Sequence, residues 1–103
     1  EYQDAEKKPL FPEGELAMMQ FISTHIKYPE VARKEKVSGM EVMQFIVEKD
    51  GSLSSFVSLR SLHPALKEEA IRVLKLMPKF SPGTNGGVPV RVRYVLPVRF
   101  KLS

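Results

Sequence analysis

The C-terminal stretch most narrows what this chain can fold into. Val90, Val92, Tyr94, Leu96, Val98, Phe100 and Leu102 alternate with Arg91, Arg93, Arg99 and Lys101. A period of two places the apolar set on one side of a strand and the cations on the other. The spacing therefore predicts a long strand, half buried against a core, with a basic outer face. Pro97 interrupts it, and a residue without an N–H cannot donate to a ladder, so the strand belongs at a sheet edge or a bulge. Charge sharpens this. Among 103 residues with a net charge of +4, the part through Glu69 holds 9 basic and 12 acidic side chains. From Ala70 onward Arg72, Lys75, Lys79, Arg91, Arg93, Arg99 and Lys101 meet no acid. The acid-free tail marks where a partner would dock.

Upstream, Leu16, Met19, Ile22 and Ile26, widened by Met18 and Phe21, predict a helix over Glu13–Lys27 that Tyr28-Pro29 stops. Pro29 opens a short second helix to Lys34, ended by Ser38-Gly39. Met40–Lys49 reads as a strand, Asp50-Gly51 as a hairpin turn, and Leu53–Arg60 as its partner strand. The first of these strands is apolar on both faces (Met43, Phe45 and Val47; Val42 and Ile46), which suits a central position. Leu66, Ala70, Val73, Leu74 and Met77 form the stripe of a further helix, from His63 to Pro78. Ser81–Gly87 is rich in turn formers and reads as a loop.

A right-handed helical crossover then returns the final strand beside the first, away from the second. The expected fold is α+β: a small three-stranded antiparallel sheet of order 2-1-3 with two main helices packed on one face. Residues 1–12, charged and punctuated by Pro9 and Pro12, read as the end of a linker, and residues 13–103 as one domain. The polar start without an initiator Met reads as a piece of a longer chain. No apolar run is long enough to span a bilayer, and with no cysteine there is neither disulfide nor thiolate chemistry.

Catalytic patterns are weak. His25 and His63 lie in different elements, neither has a neighbour at metal-ligand spacing, and no HExxH motif is present. Glu68 and Glu69 are adjacent on a helix and diverge. The Gly83–Gly87 loop lacks the Lys-Ser/Thr of a phosphate loop and precedes a strand. The expectation is a chain that is not an enzyme, with no cofactor and no metal. Nucleic acid is disfavoured by parity, because Tyr94 and Phe100 fall on the face opposite the arginines, where bases could not stack on them. A docking edge for an extended peptide fits better, with main-chain groups supplying a ladder and the basic row favouring acidic ligands. A proline at Val92 is expected to abolish such docking without unfolding the domain.

The residues then resemble a known family. Ile26-Lys27-Tyr28-Pro29-Glu30-Val31-Ala32-Arg33, Gly39, the strand Val42–Asp50 with Gly51, Leu66–Pro78, Lys79-Phe80-Ser81-Pro82-Gly83, and Val88-Pro89-Val90 through Leu96-Pro97-Val98-Arg99-Phe100 resemble the C-terminal domain of TonB-family energy transducers. The Phe11-Pro12 approach to the first helix is similar to Bacteroidetes-type members, and Phe80 stands where many members carry tryptophan. The resemblance implies a periplasmic domain of an inner-membrane-anchored protein that associates with motor proteins through its N-terminal region. It also implies capture of the TonB-box peptide of outer-membrane transporters by strand addition. Carried onto this sequence, the docking strand is Val90, Arg91, Val92, Arg93, Tyr94, Val95 and Leu96, with His25, Ile26, Lys27, Tyr28 and Pro29 near the peptide. The same domain also occurs on other membrane proteins, such as sensor metallopeptidases, where it would serve sensing or interaction. A homodimer through the edge, or by strand exchange, is a further possibility.

Overall fold

A computed structural model describes residues 4–102; residues 1–3 of the expected linker end, and Ser103, lie outside the described residues. The chain forms α1 (Glu15–His25), α2 (Glu30–Lys34), β1 (Gly39–Val47), β2 (Leu53–Arg60), α3 (Pro64–Lys75), β3 (Gly83–Asn85), β4 (Val88–Val90) and β5 (Val92–Phe100). The main sheet is antiparallel in the order β2-β1-β5, so the doubly apolar strand is central and the basic strand is an edge. Helix ends obey local chemistry. Glu13 and Gly14 hold positive φ (67° and 100°), which delays α1 to Glu15. His63 caps α3 by accepting the Ala65 N–H on Nδ1 at 3.0 Å, with Pro64 pre-set for the first turn.

One face of the sheet carries the core. Met43, Phe45 and Val47 of β1 and Leu96, Val98 and Phe100 of β5 are buried. They cluster with Met18 and Ile22 of α1, Ala32 of α2, and Leu66, Ala70, Val73 and Leu74 of α3. Phe80 anchors one end, its ring edge-on to Phe11, Phe45 and Tyr94 at centroid separations of 5.6, 5.9 and 5.6 Å. That geometry suits the ring quadrupoles and adds to what burial alone contributes. Glu41 is the one charged residue buried among those described. Its carboxylate accepts the Leu62 N–H at 2.6 Å and the Ser61 hydroxyl at 3.2 Å, tying β1 to the connection before α3.

Two features differ from the sequence-based expectation. The Ser81–Gly87 loop is half of a second small sheet: β3 and β4 pair across Gly86-Gly87, whose φ values of 58° and 80° are both positive, as a tight hairpin requires. Arms of three residues interrupted by Pro89 are too short to show alternation. Second, the segment before Glu13 lies against this hairpin. Lys7 and Thr84 exchange two backbone hydrogen bonds (3.1 and 3.0 Å), as do Leu10 and Ser81 (3.0 and 2.8 Å). Phe11 enters the core.

Candidate functional site

Strand β5 pairs with β1 along its whole length, from Gly39 opposite Phe100 to Val47 opposite Val92, and has no strand on its other side among the described residues. Which backbone groups face outward follows from one residue. Val42 stands opposite Pro97. Proline has no N–H to exchange, so this must be a non-hydrogen-bonded pair, and the backbone of Pro97 points away from β1. By alternation Arg93, Val95 and Arg99 also turn N–H and C=O to the side away from β1, whereas Val92, Tyr94, Leu96, Val98 and Phe100 turn theirs to β1. Side chains share this parity: Arg93, Val95, Pro97 and Arg99 are exposed, and Val92, Leu96, Val98 and Phe100 are buried.

The docking strand drawn from the sequence as Val90–Leu96 therefore needs correction at its start. Val90 belongs to β4 and is paired with Gly83. Arg91 lies between the strands, its Nε 2.7 Å from Glu48 Oε1 and its Nη2 3.2 Å from Oε2. Hydrogen bonds from Arg91 and then Ser54 hold the Glu48 carboxyl below its ordinary range, and the same pairing raises Arg91. This bidentate pair fixes the point where the chain leaves one sheet for the other. The edge runs instead from Val92 to Phe100. Val92 is buried and turned to β1, so a proline there would break an internal bond and disturb the core.

The residues expected near a peptide are brought together only in part. The Tyr28 ring stands edge-on to Phe100 at 5.6 Å, and its hydroxyl donates to the Val37 carbonyl, which places it beside the end of β5. His25 stacks on Phe21 at 4.1 Å, and its carbonyl accepts from Arg72 Nη2 at 2.9 Å. The Lys27 N–H donates to Glu69 at 2.7 Å. His25 and Lys27 are thus fastened to α3, and Pro29 caps α2 beside a hollow shared with Lys27 and Glu69. Arg72 is also the main reason the Glu69 carboxyl is held low.

Two grooves flank the edge, and sequence reasoning did not anticipate their linings. One of about 570 Å³ lies between Val92–Pro97 and the segment Asp4–Leu10. The other, of about 430 Å³, lies between the end of β5 and α1, where Met19, Ile22, Ser23 and Ile26 meet Val98 and Phe100. Leu16 and Met19, counted toward the core in the sequence, are 74% and 49% exposed. The burying stripe of α1 is Met18 and Ile22. The cause is topological: α1 packs beside the last strand, with the Tyr94 hydroxyl 3.8 Å from Met18 Sδ, so part of its apolar surface has no strand beneath it.

Residues 24–102 match the family described as Gram-negative bacterial TonB protein C-terminal. The chain belongs to this TonB C-terminal family. Protein TonB of Vibrio cholerae is 34% identical over 78 residues, covering 75% of this chain and 32% of that protein, so the chain spans about a third of its curated relative. Two solution NMR structures of Helicobacter pylori TonB-CTD share the fold. Each has a TM-score of 0.62, with identities of 21% and 22%; the matches cover 84% and 85% of this chain and 90% and 80% of theirs. Members of the TonB family are non-enzymatic, in keeping with the reading of this chain as other than an enzyme. No helix among the described residues is long and apolar enough to cross a membrane.

Proposed function

We propose that this TonB C-terminal domain is the periplasmic docking module of an energy transducer. In this reading it captures the TonB-box segment of an outer-membrane transporter as an added strand on β5. The wider chain, anchored in the inner membrane and joined to motor proteins, couples proton motive force to uptake. The observation that carries the reading is the outer edge of β5, which has no strand beside it among the described residues, with outward backbone groups at Val95, Pro97 and Arg99 beside a basic row. Val95, Pro97 and Arg99 can offer two N–H donors and three carbonyl acceptors. At about 1 kcal/mol net each, they stabilise a bound segment by about 5 kcal/mol before ordering costs. Micromolar affinity needs about 8 kcal/mol, so side-chain contacts must supply at least about 3. Oppositely charged residues on the ligand would speed encounter and make binding sensitive to salt.

The test is an amide NMR titration with a TonB-box peptide from a transporter. Shifts should centre on residues 93–99 and weaken in high salt. Shifts confined to β2 or α2, or none at millimolar peptide, would remove β5 as the docking edge.

A further inference from the structure

The two halves of the β5 edge differ in charge and in what overhangs them. Around Val92–Pro97 the groove is lined by two acids, Asp4 and Glu15, and two cations, Lys8 and Arg93. Beyond Pro97 the hollow is bordered by Arg99 and Lys101, with no acid among the described residues of its lining. Its floor is apolar, made by Met19 and Ile22 of α1 and Ile26 just after it, with Val98 and Phe100 of β5. Met19 and, one turn before it, Leu16 stay about half and three-quarters exposed although the helical period counts both toward a core. Pro97 also removes one donor from the ladder midway along the edge, so main-chain pairing alone holds a ligand less well past that point.

We propose that the hollow under α1 is a specificity subsite of the docking edge. It receives one large apolar side chain of the bound segment, with a carboxylate on the adjoining ligand residue. The adjacency comes from the pleat. A side chain entering on the Val98–Phe100 side faces α1, and its neighbour emerges on the opposite side, beside Arg99. Continuity with the edge and the two bordering cations, Arg99 and Lys101, select such a segment over a neutral or basic one. This inference rests on the docking reading above and extends it to the chemistry of the ligand.

The probe is a blocked, fluorescein-labelled eight-residue peptide of threonine, serine and valine carrying one Phe-Asp pair, with Phe→Ala and Asp→Asn controls. Anisotropy gives affinity, and methyl NMR locates the ring. The parent peptide should bind about tenfold more tightly than the Phe→Ala control, since a phenyl ring leaves water on binding. Its binding should shift the methyls of Met19 and Ile26. The Asp→Asn control should lose several-fold at low salt. Ser23→Trp, which fills the hollow from an exposed position, should erase the advantage of phenylalanine and leave the Phe→Ala peptide within about twofold. Met19→Lys serves instead if that variant loses its native amide spectrum.

Equal affinities for all three peptides, with shifts retained at residues 93–97, overturn the subsite and leave the docking edge standing. Absence of any shift along β5 overturns both. Concentration-dependent shifts of Met19 and Ile26 in the protein alone would show a second copy of the chain as the occupant, and overturn the subsite as a ligand pocket.

Discussion

Replacing Gly51 by alanine tests how the turn after β1 is joined to the aromatic cluster behind β5. Gly51 has φ +88°, and a Cβ there would lie 1.9 Å from the Phe80 carbonyl oxygen and 3.0 Å from its carbon. The same backbones share a hydrogen bond from the Phe80 N–H to the Gly51 carbonyl at 2.8 Å. Three costs add. A left-handed φ costs an L-residue about 1–2 kcal/mol. Separating the backbones sacrifices the hydrogen bond, about 1 kcal/mol. Moving Phe80 loosens its contacts with Phe11, Phe45 and Tyr94, about another 1–2 kcal/mol. The sum is about 3–5 kcal/mol, a large share of the roughly 5–15 available to a small domain. The melting temperature should fall by about 15–30 °C. Gly86→Ala is the control, because Gly86 also has positive φ (58°) but nothing lies within 4 Å of its Cβ position. That variant should lose only the conformational cost of about 1–2 kcal/mol. Urea unfolding of both variants against the parent gives the difference directly. If they lose the same stability, the close approach to Phe80 is not what demands glycine at position 51.

Three other outcomes are expected. Val95→Pro, whose N–H faces the free side, should weaken peptide binding tenfold or more while costing under about 1 kcal/mol of stability; Val92→Pro should cost about 3 kcal/mol or more, measured by urea unfolding. Glu41→Ala should destabilise by about 2–4 kcal/mol, because it leaves a cavity and a partly buried Leu62 N–H without its acceptor, and Glu41→Gln should cost less because it keeps one acceptor oxygen. The Glu48 carboxyl lies below its ordinary value of 4.5 in the folded chain, chiefly through the hydrogen bond from Arg91. Its stabilisation is therefore complete above that ordinary value and is lost as the pH falls through the lower folded value. Glu48→Gln should flatten the fall in melting temperature on acidification, and an unchanged acid limb would refute the role of the pair.

Legibility from sequence was uneven for reasons visible in single residues. The alternation of Val92–Phe100, the two apolar faces of β1 and Pro97 led to the strand order, because period and a missing donor are local properties. Phe80 has no such local signal for its contacts. Its place among Phe11, Phe45 and Tyr94 depends on three distant segments arriving together. Arg91 continues the alternation of β5 yet lies outside the strand, because Glu48, 43 positions away, fixes its side chain and β4 is already paired with β3. Leu16 and Met19 follow the helical period without being buried, since the period says which residues share a side and not whether anything lies against it.

What the sequence determined by itself was therefore the set of elements and the side of each that seeks an apolar neighbour. It also determined that one long basic strand with a proline would sit at an edge. Tertiary structure alone decided where that edge begins, which of its backbone groups face outward opposite Val42, and that α1 leaves an apolar hollow beside Val98 and Phe100. The reason is physical. Backbone preference and periodicity act over a few residues, whereas a free edge and the hollow beside it are spaces left between elements, defined only once every other surface has found its partner.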